Sequence, residues 1–271
     1  MVESHIVKGR YEMKTKALVL AAGQGTRMKS NQSKVLHKVL GKSLVEYPIM
    51  AAQGIGVEEI CLIVGHKAED VKAAIGDKVC YALQKEQLGT GHAVMQALDF
   101  IDNADEVIVL CGDTPLITKE TLQKMIDFHR EKQNAITVLS TYMENPTGYG
   151  RIVRDANGNL LKIVEQKDAS EEEKQINEIN AGMYTFDGKL LKYALSKLNN
   201  NNVQGEYYLT DTIEILLNEG KKVDAIAVEE SDDIAGVNSR IQLSEVTQVM
   251  KRRINTKHMT NGVTIIDPES T

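Results

Sequence analysis

The stretch Leu18-Val19-Leu20-Ala21-Ala22-Gly23-Gln24-Gly25-Thr26-Arg27-Met28 decides how the chain is read. A short apolar run ends abruptly in two glycines, a threonine and an arginine, the pattern of a buried first strand entering a tight loop. Without Cβ atoms, the glycines let backbone N–H groups approach an anion closely, and successive N–H groups can form a nest for phosphate. Arg27 and, further on, Lys34 add two cations to the same connection. An ordinary strand-to-helix turn with two solvated cations accounts for the glycines equally well, so the loop alone leaves its ligand open. Two better-known glycine loops are excluded. A dinucleotide fingerprint needs a third glycine where Met28 stands, and a Walker A loop needs a lysine directly after its last glycine, where Thr26 stands.

Beyond this loop, apolar strand-like runs alternate with helical patterns. Leu44 to Gln53 reads as a helix, Glu59 to Gly65 as a strand, Lys67 to Ile75 as a helix and Lys78 to Leu83 as a strand. Gly91 to Phe100 is helical, Glu106 to Leu110 is a buried strand, and Thr118 to Arg130 is a helix with a threonine N-cap. Such alternation predicts an α/β fold with a mainly parallel, doubly wound sheet. The second half changes character. Strands at 150–154 and 160–165 flank an Asn157-Gly158 hairpin turn, and 167–177 is a charged loop or short exposed helix. Ile179 to Phe186 is a strand, Gly188 to Leu198 and Leu209 to Leu217 are helices, and Val223 to Val228 is a last strand of this region. One long helix is predicted from Asn238 to His258, with Ile241, Val246, Val249, Met250 and Ile254 as its apolar stripe. The residues from Val263 onward begin a strand and then stop.

At 271 residues the chain can bury a substantial core. A net charge of -6 gives no global basic footprint for nucleic acid. No apolar run is long enough to span a bilayer, and residues 1–12 lack the apolar centre of a signal peptide. Met13-Lys14-Thr15 reads as a second start, which makes residues 1–13 an N-terminal extension. Cys61, Cys80 and Cys111 sit in separate apolar runs, as reduced thiols of a cytoplasmic protein do.

Ligands of open α/β sheets bind at the carboxyl ends of strands, near the switch in strand order. Besides the glycine loop, two strand ends carry suitable groups. Gln84, ahead of Gln87-Leu88-Gly89-Thr90-Gly91-His92, can read a base edge as donor and acceptor, or can simply be exposed. Asp113, after Gly112, suits a Mg²⁺ ligand or an Asx-turn. His92 reads as a helix-start residue and Asn238 as an N-cap. No Ser-His-Asp, Cys-His or zinc set accompanies them, which leaves positioning and charge neutralisation at phosphorus.

In this combination the chain resembles the bacterial N-acetylglucosamine-1-phosphate uridyltransferases, specifically the N-terminal pyrophosphorylase domain of the bifunctional enzyme. The likeness runs through L-A-A-G-Q-G-T-R-M at 20–28 with Lys34 and V-L-H-K, Q-L-G-T-G-H-A at 87–93, and C-G-D-T-P-L-I at 111–117. It continues through Y-G-R-I-V-R at 149–154, I-V-E-Q-K-D-A at 163–169, E-I-N-A-G-M-Y at 178–184, the Asn-rich motif ending at Asp211, and G-V-N-S-R at 236–240. The resemblance implies a Rossmann-like, doubly wound mixed sheet of the nucleotide-diphospho-sugar transferase type, with a β-hairpin sugar-binding lobe and a long C-terminal helix. Residues 14–237 would form the pyrophosphorylase domain and 238–260 a linker helix, with 261–271 starting a left-handed β-helix. It further implies uridylyl transfer from UTP to N-acetylglucosamine-1-phosphate, giving UDP-N-acetylglucosamine and pyrophosphate.

Carried over by residue, Leu20, Ala21, Ala22 and Gly23, with Gln84, Gly89 and Thr90, would hold the uridine. Arg27 and Lys34 would neutralise the triphosphate, and Asp113 and Asn238 would hold Mg²⁺. Gly150, Glu165 and Asn180 would contact the sugar, with Cys111 and Gly112 beside them. Ser33 stands where related enzymes often have proline before the motif lysine, and Cys111 where an aromatic residue is common. The family trimerises mainly through its β-helix half, so a chain without that half is expected to be a monomer or a weak oligomer.

Overall fold

In a computed structural model, which describes residues 13–228 and 230–271, the first half folds as a parallel α/β unit. Its strands are β1 (Thr15–Ala21), the short pair β2 (Lys38–Val39) and β3 (Lys42–Ser43), then β4 (Glu59–Val64), β5 (Cys80–Leu83) and β6 (Glu106–Cys111). Between them lie α1 (Glu46–Gly54), α2 (Ala68–Ile75) and α3 (Thr90–Met95), and α4 (Lys119–Lys132) follows. The second half adds β7 (Ile136–Tyr142), β8 (Arg151–Arg154), β9 (Leu160–Val164), β10 (Glu178–Asp187) and β11 (Val223–Ala227), with α5 (Gly188–Leu195), α6 (Asp211–Asn218) and α7 (Arg240–Thr260).

The main sheet runs β11-β7-β10-β6-β1-β4-β5, with β8 joined to β10 and β9 to β8. Neighbours are parallel except around β10, which is antiparallel to β6, β7 and β8, and within the β8–β9 hairpin. The mixed sheet matches the expectation. After β1 the chain lays β4 and β5 on one side, then returns to place β6 on the other. The strand order therefore reverses between β1 and β6, where a crevice opens at their carboxyl ends.

The period-two alternation of the strands builds a core on each face. Leu18, Ile63, Val107 and Val109 pack with residues of α3, α5 and α6. Val19, Leu62, Ile108 and Leu110 pack with residues of α1, α2 and α4. Strands buried on both faces must be apolar almost throughout, which explains why their sequences read so clearly. A third cluster of Met28, Val39, Leu44, Leu116, Val237 and Val246 ties α7 to the turn after the glycine loop.

Several elements differ from the expectations. The interior strand β7, next to β11, is not among the expected strands, because Thr137, Ser140 and Thr141 interrupt its apolar pattern; all three are buried. Helix α7 starts at Arg240, capped by Ser239, whose side chain accepts from the Gln242 N–H, so Asn238 is not its N-cap. Of the anticipated stripe, Val246 is buried, whereas Ile241 is 72% exposed and Ile254 is also exposed. The last residues form turns rather than a strand. They lie against α7 through Asn255 Nδ2 to the Pro268 carbonyl, at 2.8 Å, and Lys251 to the Glu269 carbonyl. Apart from Met13, the anticipated N-terminal extension lies outside the described residues. Thr118 does cap α4, accepting from the Thr121 N–H at 3.1 Å. Gly158 takes the left-handed conformation in the hairpin turn, with φ at 85°. None of the described helices is long and apolar enough to cross a membrane.

Candidate active site

The loop after β1 is shaped by what it must let past. Gly25 has φ of 63°, and a Cβ on it would fall 2.5 Å from the Cβ of Lys34. Only glycine allows the lysine stem to cross there. A Cβ on Gly23 would meet nothing within 4 Å, so that part of the loop borders open space. The N–H groups of Gly23, Gln24 and Gly25 make no hydrogen bond among the described residues, which leaves them available to an anion. Gly112 approaches β1 so closely that a Cβ would meet the Leu20 carbonyl at 2.8 Å; its N–H donates to that carbonyl at 2.9 Å.

Lys34 lies at the centre of the crevice. Its ammonium donates to the Asp113 carboxylate and, at 2.9 Å, to Asn238 Oδ1. Lys34 and Asn238 come from opposite ends of the sequence. The Asp113 carbonyl accepts from the Val237 N–H at 2.8 Å, which fixes Asn238 beside it. Asp113 forms no Asx-turn: it is the Thr114 hydroxyl that bonds back, to the Cys111 carbonyl at 2.8 Å. The two oxygens thus converge on one cation, a donor set that fits Mg²⁺, which takes one or two protein oxygens and completes its shell with water and phosphate. No cluster of three or more His, Cys, Asp or Glu able to hold a metal occurs among the described residues, so substrate would have to supply part of the shell. Arg27 stands exposed on the turn Thr26–Met28 and forms no ion pair among the described residues.

Two adjoining cavities share Leu20, Thr90, Cys111 and Asp113. The first, about 290 Å³, is lined by Leu20 to Gly23, Lys34, Gln84, Gly89 and Thr90. The second, about 240 Å³, is lined by Gly150, Glu165, Asn180, Thr210 and Asn238, among others. The fold therefore gathers the anticipated base-side residues around one cavity and the sugar-side residues around the other, with Asp113 between. Arg27 and Gly112 line neither. A larger cavity of about 480 Å³, lined by α4, β11 and Arg253, lies elsewhere; its Asp233 is already paired with Arg253 at 2.7 Å.

The Thr90 hydroxyl accepts from the Leu209 N–H at 3.1 Å, so its side chain ties two walls together. Asn180 spends most of its amide internally, accepting from the Gly182 N–H at 2.9 Å and donating to Tyr184 Oη at 2.7 Å. These bonds stabilise the irregularity in β10, where Gly182 has φ of 72°. Burial, with Asp168 and Glu206 nearby, pushes the Glu165 carboxyl above the usual range, although the Thr210 hydroxyl donates to it at 3.2 Å. Burial, with Asp113 adding to it, pushes the Cys111 thiol up to about 12, so it remains protonated and donates to the Gly182 carbonyl at 3.3 Å. Tyr149 and Thr210 line the second cavity and were not singled out from sequence. Their adjacency to Gly150 and to the motif ending at Asp211 was the available signal.

A glycine-rich anion loop, a lysine and a single carboxylate at the switch point of a mixed sheet define a nucleotide-binding transferase. Residues 16–248 match the nucleotidyl transferase family, and the chain belongs to it. Among curated proteins it is 55% identical over 256 residues to the bifunctional protein GlmU of Acetivibrio thermocellus. It is 54% identical over 259 residues to that of Clostridioides difficile. These alignments take in 94% and 96% of this chain but only 56% of each relative, so the chain spans about half the length of the curated relatives it matches. The fold also matches a solved UDP-glucose pyrophosphorylase complexed with UDP-glucose, with a TM-score of 0.70 at 20% identity, over 89% of this chain and 100% of that one.

Proposed function

We propose that the chain transfers a uridylyl group from UTP to N-acetylglucosamine-1-phosphate, yielding UDP-N-acetylglucosamine and pyrophosphate. One observation carries this reading. The phosphate-side loop and the sugar-side cavity meet at Asp113, with Lys34 reaching into the junction. Two phosphorylated substrates lying in the two cavities would bring their phosphates together there.

A phosphate oxygen of the sugar phosphate attacks the α-phosphorus of UTP in line. The new P–O bond forms as the bond from the α-phosphorus to the β-phosphate oxygen breaks, and pyrophosphate departs with the electron pair. Lys34 and Arg27 neutralise the charge that accumulates on the leaving group, and the free N–H groups of Gly23 to Gly25 hold the phosphates in register. Asp113 and Asn238 would hold Mg²⁺, which supplies charge neutralisation at the phosphates when bound. Glu165 accepts from sugar hydroxyls, and Gly150 leaves the space they occupy: a Cβ there would sit 3.5 Å from Glu165 Oε2 and 3.1 Å from Ile163. No covalent enzyme intermediate is needed. The reaction belongs in the cytoplasm. Pyrophosphate release tests the reading: it should require UTP, N-acetylglucosamine-1-phosphate and Mg²⁺ together. A preference for glucose-1-phosphate, or product binding without turnover, would replace it.

A further inference from the structure

His92 takes no part in the reaction above, yet its ring is bonded to the residue that faces the base. Gln84 directly follows β5, is almost fully buried, and is held by its N–H to the Val64 carbonyl at 2.8 Å. Its side-chain nitrogen lies 3.0 Å from the Gly89 carbonyl and 3.1 Å from His92 Nδ1. A carbonyl can only accept, so the nitrogen end of the amide must face Gly89. That peptide cannot turn away. Gly89 has φ of 108°, and a Cβ on it would lie 2.5 Å from the Tyr207 carbonyl. The strip around it is pinned to its neighbour by Tyr207 N–H to the Leu88 carbonyl and Gly91 N–H to the Tyr207 carbonyl, both 2.8 Å.

His92 Nδ1 faces the same amide nitrogen and must therefore accept, which leaves the imidazole proton on Nε2. Nε2 lies 3.2 Å from the amide nitrogen of Gln96, which donates to the His92 carbonyl at 3.0 Å; with the proton on Nε2, this exposed side chain gives up that bond to offer its oxygen, or turns aside and leaves the proton to water. Both hydrogens of the Gln84 amide are then spent. Its oxygen accepts no hydrogen bond among the described residues and is not sealed from solvent, so it is the group left to the cavity that Gln84 lines.

We propose that His92 is a positioning residue for base selection. By accepting at Nδ1 it locks the Gln84 amide so that only an acceptor faces the ligand. An imide base such as uracil offers a ring N–H to that oxygen, whereas the corresponding N3 of cytosine is itself an acceptor. This rests on the proposed function in giving the cavity of Gln84 to the base. Without the acceptor at residue 92, one amide hydrogen is bare and the Gly89 carbonyl alone holds the orientation, so the amide is less firmly fixed and the distinction between the two pyrimidines weakens by the value of about one hydrogen bond, roughly tenfold.

The test compares two isosteric variants, His92→Asn, whose Oδ1 can stand in for Nδ1, and His92→Leu, which has no acceptor. Pyrophosphate release is measured with UTP and with CTP, and folding is checked by thermal melting, with His92→Ala as the replacement should the leucine variant not fold. H92L should raise the KM for UTP with kcat nearly unchanged and reduce the UTP-over-CTP ratio of kcat/KM about tenfold, while H92N keeps the wild-type ratio. An unchanged ratio in folded H92L, or a loss in H92N as large as in H92L, overturns the role of His92. Wild-type protein that releases pyrophosphate from neither nucleotide overturns the proposed reaction instead. Calorimetric binding of UTP and CTP to the same variants then reads base preference on its own.

Discussion

Lys34 Nζ donates to Asn238 Oδ1 at 2.9 Å while also paired with the Asp113 carboxylate. The ammonium sits between the two oxygens proposed to hold a divalent cation, so the lysine and that cation would contend for the same pair. Lys34→Met should therefore bind Mn²⁺ more tightly than wild type in the absence of nucleotide, read by calorimetry, and still lose about a hundredfold or more in turnover. Asn238→Ala should weaken Mn²⁺ binding. Equal Mn²⁺ affinity in all three proteins would show that the lysine and the cation do not share these ligands.

The glycines of the loop make a paired prediction. Gly25→Ala should push Lys34 aside and strain the backbone, costing about 2 kcal/mol of stability along with most of the activity. Gly23→Ala meets no protein atom and should leave the melting temperature nearly unchanged while raising the KM for UTP. Equal melting temperatures for the two variants would contradict the role given to Gly25.

Arg154 holds Glu178 through both carboxylate oxygens, each at 2.7 Å, beneath the hairpin lobe. Burial pushes the Glu178 carboxyl up, but Arg154 and the Ser140 hydroxyl more than offset this and hold it below its ordinary value of 4.5. The pair therefore contributes stability above that value, and the contribution is lost as pH falls through the lower, folded-state value. Arg154→Ala should cost about 3 kcal/mol at pH 7 by stranding a buried charge, and less in acid, when urea melts are compared across pH.

Asp211 behaves in the opposite sense. Burial, reinforced by Glu214, raises its carboxyl from 3.8 to about 6. The native state then holds the proton more tightly than the unfolded chain, so stability falls as pH rises across that window and the penalty is complete above it. Asp211→Asn should raise stability at pH 7 by about 1 kcal/mol after allowance for solvent screening, and by almost nothing below pH 4. A melting temperature that is no higher at pH 7 would count against this account.

The doubly buried strands were legible because burial on both faces forces nearly unbroken apolar sequence, as in β4 and β6. The glycine loop and the cap at Thr118 were legible because their chemistry is local. What stayed hidden depended on partners distant in sequence. Thr137, Ser140 and Thr141 make β7 look like a loop, yet Thr137 is bonded to His129 and Asn134, and Ser140 to Glu178. Helix α7 was expected to begin at Asn238; Ser239 takes the capping role and frees the asparagine for Lys34. Gln84 was read as donor and acceptor together, whereas its neighbours Gly89 and His92 claim the donor half.

The bond from Lys34 to Asn238 spans 204 positions. Synthesis at about 5–20 residues per second puts on the order of 10–40 s between the two residues leaving the ribosome. Throughout that interval a nascent chain can carry the glycine loop and Lys34 without Asn238, the second oxygen of the proposed cation site. Under the proposed function, catalytic competence would be a late acquisition, reached only after every strand of the sheet has been made, and a chain terminated before Asn238 would be inert rather than partially active.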